Sequence, residues 1–338
     1  MTETTIISDQ FRRPLHDLRI SVTDRCNFRC AYCMPKEVFG PGYKFLPKEE
    51  LLTFEEITRL ARIFAGLGVR KVRLTGGEPL LRDQLERLVG MLAEIPGLEL
   101  ALTTNGSLLE RKAQALKDAG LDRLTVSLDS LDDDIFQVMN AVHFPVQRVL
   151  DGIQAAEEAG FSPIKINMVV KRGVNEHTVL QMARYFQQRP HIVRFIEFMD
   201  VGTTNCWQMD DVVPAAEIIK MIQAEMSLEP IDPNYRGEVA KRWRYKDGGG
   251  EIGLIASVTQ PFCGDCTRTR ISARGQLYTC LFAAKSHDLR VHLRSGEADE
   301  EIEAHIRSIW NLRKDRYSEI RTDQTTSGDK VEMSYIGG

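Results

Sequence analysis

The chain has 338 residues, of which 43% are hydrophobic and 27% are charged, and its formal net charge is -4. This length and composition are typical of a globular protein of about two domains, and the acidic balance excludes a protein that coats nucleic acid. Residues 1–10 contain no basic segment followed by an apolar one, and no apolar run reaches the length of a membrane span. We therefore expect a cytoplasmic protein that binds neither nucleic acid nor membrane.

From Asp17 onward, short β-branched segments alternate with amphipathic helical patterns, which is typical of βα units around a parallel sheet. The predicted strands are residues 18–23, 69–75, 98–104, 123–128, 164–170 and 193–199. The predicted helices include 54–67, 108–119 and 151–159, with Thr53 as an N-cap and Gly68, Gly120 and Gly160 at the ends. Six units are too few for an eight-stranded barrel, so the pattern predicts an open, partial barrel whose chemistry lies at the carboxyl ends of the strands.

The pattern changes after Pro214. A helix over 215–225 precedes a segment rich in Pro and Gly at 230–237. Then come predicted strands at 241–245 and 251–257, a hairpin of 268–272 with 276–281, and helices at 286–294 and 298–313. We predict a barrel domain over 1–225 and a smaller α+β module over 226–338, ending in a flexible Gly-Gly tail.

Three cysteines, Cys26, Cys30 and Cys33, follow the first predicted strand with the spacing C-x3-C-x2-C. Such close thiolates suit a metal centre, but no fourth Cys or His follows in this loop. A 4Fe-4S cluster on three cysteines would leave one iron open to another ligand. The alternatives are a zinc knuckle or a redox-active thiol cluster, although zinc modules usually space their ligands as C-x2-4-C pairs.

The octet from Cys26 to Cys33, with Tyr32 before its last cysteine, resembles the signature of radical S-adenosylmethionine (SAM) enzymes. Gly76-Gly-Glu-Pro79 follows the second predicted strand and is similar to the GGEP element of the same superfamily. The resemblance implies a partial (β/α)6 TIM-type barrel of the radical SAM class, with SAM as cofactor. It also implies SAM contacts from Tyr32, Gly77, Glu78, Ser127 and Met199.

A second triplet, Cys263, Cys266 and Cys280, has the spacing C-x2-C-x13-C and again lacks an obvious fourth ligand. A zinc ribbon would need a second C-x2-C pair, so two open-sited iron-sulfur clusters explain the two triplets better. Arg268, Arg270 and Arg274 follow closely, and strand alternation places Arg268 and Arg270 on one face. Guanidinium groups suit phosphate oxygens, which makes this face a candidate polyphosphate site; the alternative is an exposed strand face with solvated arginines.

The two triplets, GGEP, the following Arg-Thr-Arg and the terminal Gly337-Gly338 together resemble the GTP 3′,8-cyclase family of molybdenum cofactor biosynthesis. The resemblance implies two 4Fe-4S clusters, the first on Cys26, Cys30 and Cys33 and the second on Cys263, Cys266 and Cys280. It implies that the first cluster cleaves SAM to a 5′-deoxyadenosyl radical, which abstracts hydrogen from C3′ of GTP. The ribose radical then attacks C8, and the second cluster contacts the guanine.

The same resemblance implies GTP contacts and catalytic groups. The implied contacts are Arg19, Arg73, Thr104, Lys165, Arg268, Thr269 and Arg270, with Thr103 as the alternative to Thr104, and the implied catalytic residues are Arg268, Arg270, Gly337 and Gly338. The implied partners are GTP, an external electron donor and cyclic pyranopterin monophosphate synthase, which receives the product. The oligomeric state stays open, a homodimer included. The competing readings are another radical SAM enzyme with an auxiliary cluster, such as a peptide-modifying maturase, and a zinc-stabilised interaction module.

Overall fold

The computed structural model describes residues 6–321 and 330–337. Residues 17–223 contain the six predicted strands, all parallel to their neighbours, with helices between them and one after the sixth. The strands are β1 Asp17–Ser21, β2 Lys71–Thr75, β3 Glu99–Thr104, β4 Arg123–Ser127, β5 Lys165–Val170 and β6 Ile192–Glu197. The helices are α1 Phe54–Gly66, α2 Leu85–Ala93, α3 Leu109–Asp118, α4 Asp133–Asn140, α5 Val146–Glu158, α6 Val179–Gln187 and α7 Ala215–Gln223. The predicted partial α/β barrel is confirmed.

Local sequence signals explain the helix ends. The Thr53 hydroxyl accepts a hydrogen bond from the Glu56 amide at 3.1 Å, and the Glu56 carboxylate accepts one from the Thr53 amide at 2.8 Å, forming the capping box of α1. Gly120 and Gly160 end α3 and α5 with φ of 98° and 89°, where a glycine is favoured. Two helix starts were predicted wrongly: the helix expected from residue 151 begins at Val146, directly after Pro145, and the helix expected from residue 286 begins at Leu289, since residues 287 and 288 form a strand.

The chain beyond α7 extends both edges of the barrel sheet. Its strands are β7 Leu228–Ile231, β8 Lys241–Tyr245, β9 Glu251–Ile255, β10 Arg268–Ile271, β11 Gln276–Tyr278 and β12 His287–Asp288, and its helices are α8 Leu289–Ser295, α9 Asp299–Asn311, α10 Tyr317–Ile320 and α11 Met333–Ile336. Strand β9 pairs in parallel with β6, and β10 pairs in parallel with β1. A single sheet therefore crosses the predicted division at residues 225 and 226, and that division stays a prediction.

The predicted hairpin forms, with Arg270 of β10 opposite Tyr278 of β11. Strand β7 was not predicted because it contains Pro230, which lacks a donor for strand pairing. It is the terminal strand of the sheet, where proline is tolerated.

The alternation of side chains along each strand separates the core from the barrel interior. On β2, Val72 and Leu74 are fully buried in the hydrophobic core, while Arg73 between them lines the interior. On β5, Ile166 is likewise buried in the core, and Asn167 lines the interior. The interior is thus polar although the strands are rich in apolar residues. Within the described residues, the helices are too short or too polar to cross a membrane.

Candidate active site

The first cysteine triplet lies in the loop that follows β1, at the carboxyl end of the sheet. The Arg29 guanidinium fixes this loop, donating hydrogen bonds to the carbonyls of Cys26 and Phe39, both at 2.7 Å. The amide of Cys33 donates to the Cys30 carbonyl at 2.9 Å, which makes the turn that brings these two cysteines together. Burial, helped by the Glu78 carboxylate, raises the pKa of Cys26 to about 12. Loading these thiols with metal therefore requires proton release.

The Gly-Gly-Glu segment after β2 packs directly on the cysteine loop. The Gly77 amide donates to the Thr23 carbonyl at 2.9 Å, and the Glu78 amide donates to the Arg25 carbonyl at 2.8 Å. A Cβ atom at Gly77 would collide with the Arg25 carbonyl, so the close approach of the two loops requires glycine.

The Glu78 carboxylate is satisfied by the protein itself. It accepts hydrogen bonds from the Leu80 amide at 3.0 Å, the Thr104 hydroxyl at 2.7 Å and the Asn105 amide at 2.7 Å. Burial raises its pKa to about 7. This carboxylate lines neither of the two barrel cavities and joins the ends of β2 and β3. Its role as a direct SAM contact stays a prediction.

Two cavities occupy the barrel interior. The upper cavity, of about 240 Å³, lies at the carboxyl ends of the strands, where Tyr32, Ser127 and Met199 line it. Tyr32 donates to Asp129 at 2.7 Å, which fixes the aromatic ring beside the cysteine loop. The lower cavity, of about 810 Å³, lies at the amino ends of the strands. Three of the predicted GTP contacts, Arg19, Arg73 and Arg268, line both cavities and stand between them.

The second cysteine triplet lines the upper cavity opposite the first strands. Cys263 and Cys266 precede β10, and the β10–β11 hairpin returns Cys280 to their side. Of the described residues, no histidine lines this cavity. The Cys266 sulfur accepts hydrogen bonds at 3.4 Å from Arg268 and from Arg313. Burial raises the pKa of Cys266, but the two guanidinium groups outweigh it and lower the pKa to about 6.

The donor set fits iron-sulfur chemistry. All seven cysteines are free thiols, and each triplet supplies three soft sulfur ligands, the first from one loop and the second from the two ends of the β10–β11 hairpin. Burial raises the pKa of Cys280 to about 11, in contrast to that of Cys266. A second cluster would therefore meet one thiolate that the protein already stabilises, and an iron that no cysteine binds would face the upper cavity.

Cationic side chains form a layer across the barrel interior, and acids such as Asp17, Glu99 and Glu238 line the lower cavity beside it. Burial and the neighbouring Arg73 lower the pKa of Arg194 to about 9. Burial and Arg268 lower that of Arg270 to about 10, and burial with Arg194 lowers that of Lys165 to about 8. In each case burial is the largest cause and a neighbouring cation adds to it, and within the described residues none of these three side chains forms a salt bridge. The layer therefore suits a ligand with several negative charges, such as a polyphosphate.

Two predicted nucleotide contacts, Thr104 and Thr269, line neither cavity, and their contact with GTP stays a prediction. The Thr104 hydroxyl bonds to Glu78, and the Thr269 hydroxyl donates to the Tyr278 carbonyl at 2.9 Å. Because strand neighbours alternate, Thr103 lines the upper cavity instead and accepts a hydrogen bond from Arg73 at 3.1 Å. Arg274, which the sequence grouped with Arg268, pairs with Glu50 at 2.9 Å and lines neither cavity.

Two protein-family models match this chain. Residues 20–186 match the Radical SAM superfamily model, and residues 191–319 match the Molybdenum Cofactor Synthesis C model. The chain is 54% identical to the GTP 3′,8-cyclase of Acidothermus cellulolyticus, over 99% of this chain and 100% of that protein. It is 49% identical to the GTP 3′,8-cyclase of Staphylococcus carnosus, over 98% of this chain and 99% of that protein.

The chain belongs to the GTP 3′,8-cyclase family.

Among solved structures, Streptococcus suis SuiB bound to the precursor peptide SuiA has a similar fold. The TM-score is 0.63 at 13% identity, and the match covers 89% of this chain and 66% of SuiB. SuiB bound to S-adenosylmethionine gives a TM-score of 0.61 at 14% identity. These likenesses show that this GTP 3′,8-cyclase family member has the fold of a radical SAM enzyme.

The end of the family member's chain enters the same site. Arg270 donates a hydrogen bond to the Gly337 carbonyl, and Ile336 is fully buried. A Cβ atom at Gly337 would collide with the Thr75 side chain, and its φ of 75° also favours glycine. Gly338, predicted as a catalytic residue, lies outside the described residues.

Salt bridges and hydrogen bonds connect this tail to the loop after β6. Lys330 and Arg321 pair with the buried Asp200 at 2.7 and 2.8 Å. The Glu332 carboxylate accepts hydrogen bonds from the Thr203 amide at 2.9 Å and the Thr204 hydroxyl at 2.9 Å. The described part of the tail is therefore joined to the barrel beside Met199.

The sequence analysis missed Arg194 in the cationic layer and, at the lower edge of the layer, Lys71, which pairs with Asp17 and Glu99 at 3.9 and 3.4 Å. Arg194 lines both cavities, and Lys71 lines the lower one. The available signal was a charged residue in the middle of an apolar strand, since Arg194 lies between Val193 and Phe195. Such a residue on a barrel strand has to face the interior.

Proposed function

We propose that this chain converts GTP to 3′,8-cyclo-7,8-dihydro-GTP, the first step of molybdenum cofactor biosynthesis. Membership of the GTP 3′,8-cyclase family makes the chain a radical SAM enzyme. One observation carries the choice of substrate: the cationic layer lies directly between the second cysteine triplet and the lower cavity. A nucleoside triphosphate can place its base near the second cysteine triplet and its negatively charged phosphates against the cationic layer.

We propose that both triplets hold 4Fe-4S clusters. The first would be held by Cys26, Cys30 and Cys33 and, when bound, would supply the electron for reductive cleavage of SAM. Tyr32, Ser127 and Met199 hold the cofactor at the carboxyl edge, with Gly77 giving the close backbone approach. The second would be held by Cys263, Cys266 and Cys280, which line the upper cavity, and would offer a purine nitrogen or oxygen an iron that no cysteine binds.

The chain's own residues orient the nucleotide in this proposal. The phosphates are held by buried cationic side chains that form no salt bridge within the described residues: Arg19, Arg73, Arg194 and Lys165. Arg268 and Arg270 lie closer to the second triplet and hold the ribose side. The Gly337 carbonyl fixes the Arg270 guanidinium.

The remaining proposals concern the surroundings of the enzyme. An external donor supplies the electron, and cyclic pyranopterin monophosphate synthase receives the product. The free state of every cysteine supports a reducing compartment such as the cytoplasm. We propose the division into a barrel over 1–225 and a cluster-bearing module over 226–338 from the sequence pattern; the two family models also divide the chain in two, but they meet near residue 190.

The test is anaerobic incubation of the reconstituted protein with SAM, a strong reductant and each nucleoside triphosphate in turn. We expect GTP alone to be consumed, together with formation of 5′-deoxyadenosine, and about eight irons per chain. Consumption of another nucleotide would overturn the substrate assignment. Turnover of a peptide with no nucleotide would favour the maturase alternative, and about four irons would overturn the second cluster.

A further inference from the structure

Arg313 follows the last residues of α9 and is enclosed by the protein, with its side chain 1% exposed. Its guanidinium donates to the Cys266 sulfur at 3.4 Å and to the Cys266 carbonyl at 2.8 Å. It also pairs with Asp9 and Asp315, both at 3.2 Å. Arg313 lines neither barrel cavity, so it reaches the second triplet from the side opposite the substrate.

A buried network holds Arg313 in this orientation. Asp9 also accepts a hydrogen bond from Arg13 at 2.6 Å, and Arg13 donates to the Cys263 carbonyl at 2.7 Å. The Arg313 guanidinium lies over the Trp310 ring, 4.5 Å from its centroid. The Asp9 carboxylate, which Arg13 also contacts, and the Trp310 ring therefore hold the Arg313 guanidinium in one orientation, with its N–H donors directed at Cys266.

The two cysteine triplets differ in the charge of the groups that donate hydrogen bonds to their sulfurs. Within residues 6–321 and 330–337, the hydrogen bonds to sulfurs of the first triplet come from the Phe28 amide at 3.4 Å and the Asn105 side chain at 3.9 Å, both on Cys26. Both donors are neutral. Two cationic donors converge on Cys266, and one of them, Arg268, also faces the substrate.

We propose that Arg313 sets the reduction potential of the second cluster through its charged hydrogen bond to the Cys266 sulfur. Reduction adds negative charge to a cluster, and N–H donors and positive charge beside a ligating sulfur stabilise that charge. Arg313 therefore raises the potential of the second cluster and leaves the first unchanged. It is a positioning residue that acts through Cys266, and its role rests on the proposed second cluster.

The experiment is a potentiometric titration of both clusters by electron paramagnetic resonance in the full, reconstituted chain. In Arg313→Met, which removes the charge and the donors but keeps an apolar stem, we expect reduction of the second cluster to become about tenfold less favourable. This corresponds to a downward shift of about 59 mV for one electron. The first cluster serves as the internal reference and should keep its potential.

Arg59→Met is the matched control. Like Arg313, Arg59 pairs with a carboxylate: Asp299, the first residue of α9, lies 2.6 Å away. The hydrogen bonds and salt bridge of Arg59 do not involve either cysteine triplet. We expect this variant to leave both potentials unchanged. Should Arg313→Met fail to fold, Arg313→Lys keeps the charge and loses the fork, and we expect a smaller downward shift of the second cluster alone.

Different results overturn different claims. A wild-type chain with about four irons and a single cluster signal would overturn the two-cluster proposal and this inference with it. A wild-type chain with both signals, and a loaded Arg313 variant whose second potential equals that of the wild type, would overturn the inference alone. Equal shifts of both clusters would also overturn it, since they would report a general loss of structure.

Discussion

Lys165 provides a pH-dependent test of the cationic layer. In the free protein, burial and then the nearby Arg194 and Arg73 lower its pKa to about 8. A bound triphosphate places negative charge beside the ammonium group, favours its protonated form and raises its pKa. Nucleotide binding must then take up a proton above pH 8, so the affinity is constant below that pH and decreases above it.

The expected magnitude follows from this pKa. At pH 9, about nine-tenths of free Lys165 is neutral, so GTP affinity should be about tenfold weaker at pH 9 than at pH 7 through this group alone. Lys165→Arg is the matched variant, since a guanidinium has a higher intrinsic pKa than an ammonium group and therefore keeps more of its charge over this range. Ionisation of the nucleotide itself contributes equally to both proteins.

The assay is anaerobic titration calorimetry with GTP at pH 7, 8 and 9, comparing the ratio of affinities within each protein. We expect the wild type to lose about ten times more affinity than Lys165→Arg between pH 7 and pH 9. The same loss in both proteins would show that Lys165 does not meet the phosphates, and the reasoning from the cationic layer would fail.

Three further predictions concern the tail, the Glu78 support and the two triplets. Gly337→Ala should remove most of the cyclised product per 5′-deoxyadenosine formed, since its Cβ collides with a side chain. The control Gly248→Ala, with φ of 86° and no heavy atom within 4 Å of its Cβ, should keep the wild-type ratio. Equal ratios in the two variants would refute the role of the tail. Thr104→Val should lower the free energy of unfolding by about 1 to 3 kcal/mol, because a buried carboxylate loses a donor, as measured by denaturant titration; a change in GTP affinity alone would contradict this. Cys30→Ser should abolish 5′-deoxyadenosine formation, whereas Cys266→Ser should keep slow, uncoupled SAM cleavage without product, and chromatography that found the reverse would exchange the two sites.

Local spacing made much of the site predictable. The x3 and x2 intervals of the first triplet bring its thiols together within one loop, and the two-residue period of β10 places Arg268 and Arg270 on the cavity side. The six parallel strands followed from the same kind of signal. In each case the pattern and its structural result lie within a few residues of each other.

The missed features depend on tertiary contacts. The hydrogen bond from Arg313 to Cys266 joins residues 47 positions apart, and Asp9, which orients Arg313, is 304 positions away. Thr103 and Thr104 lie on opposite faces of β3. Which face each one takes depends on the register of that strand, and the sequence does not specify the register. Arg194 was missed because its neighbours in β6 are apolar, and the strand was interpreted from those apolar residues alone.

The central claim, that the barrel interior holds GTP for radical chemistry at its ribose, is tested most directly with GTP deuterated at C3′. The reconstituted enzyme, SAM and reductant would be incubated without oxygen, and the 5′-deoxyadenosine formed would be analysed by mass spectrometry. The account predicts one deuterium in 5′-deoxyadenosine for each molecule of cyclised product. Unlabelled 5′-deoxyadenosine formed alongside consumed GTP would contradict it.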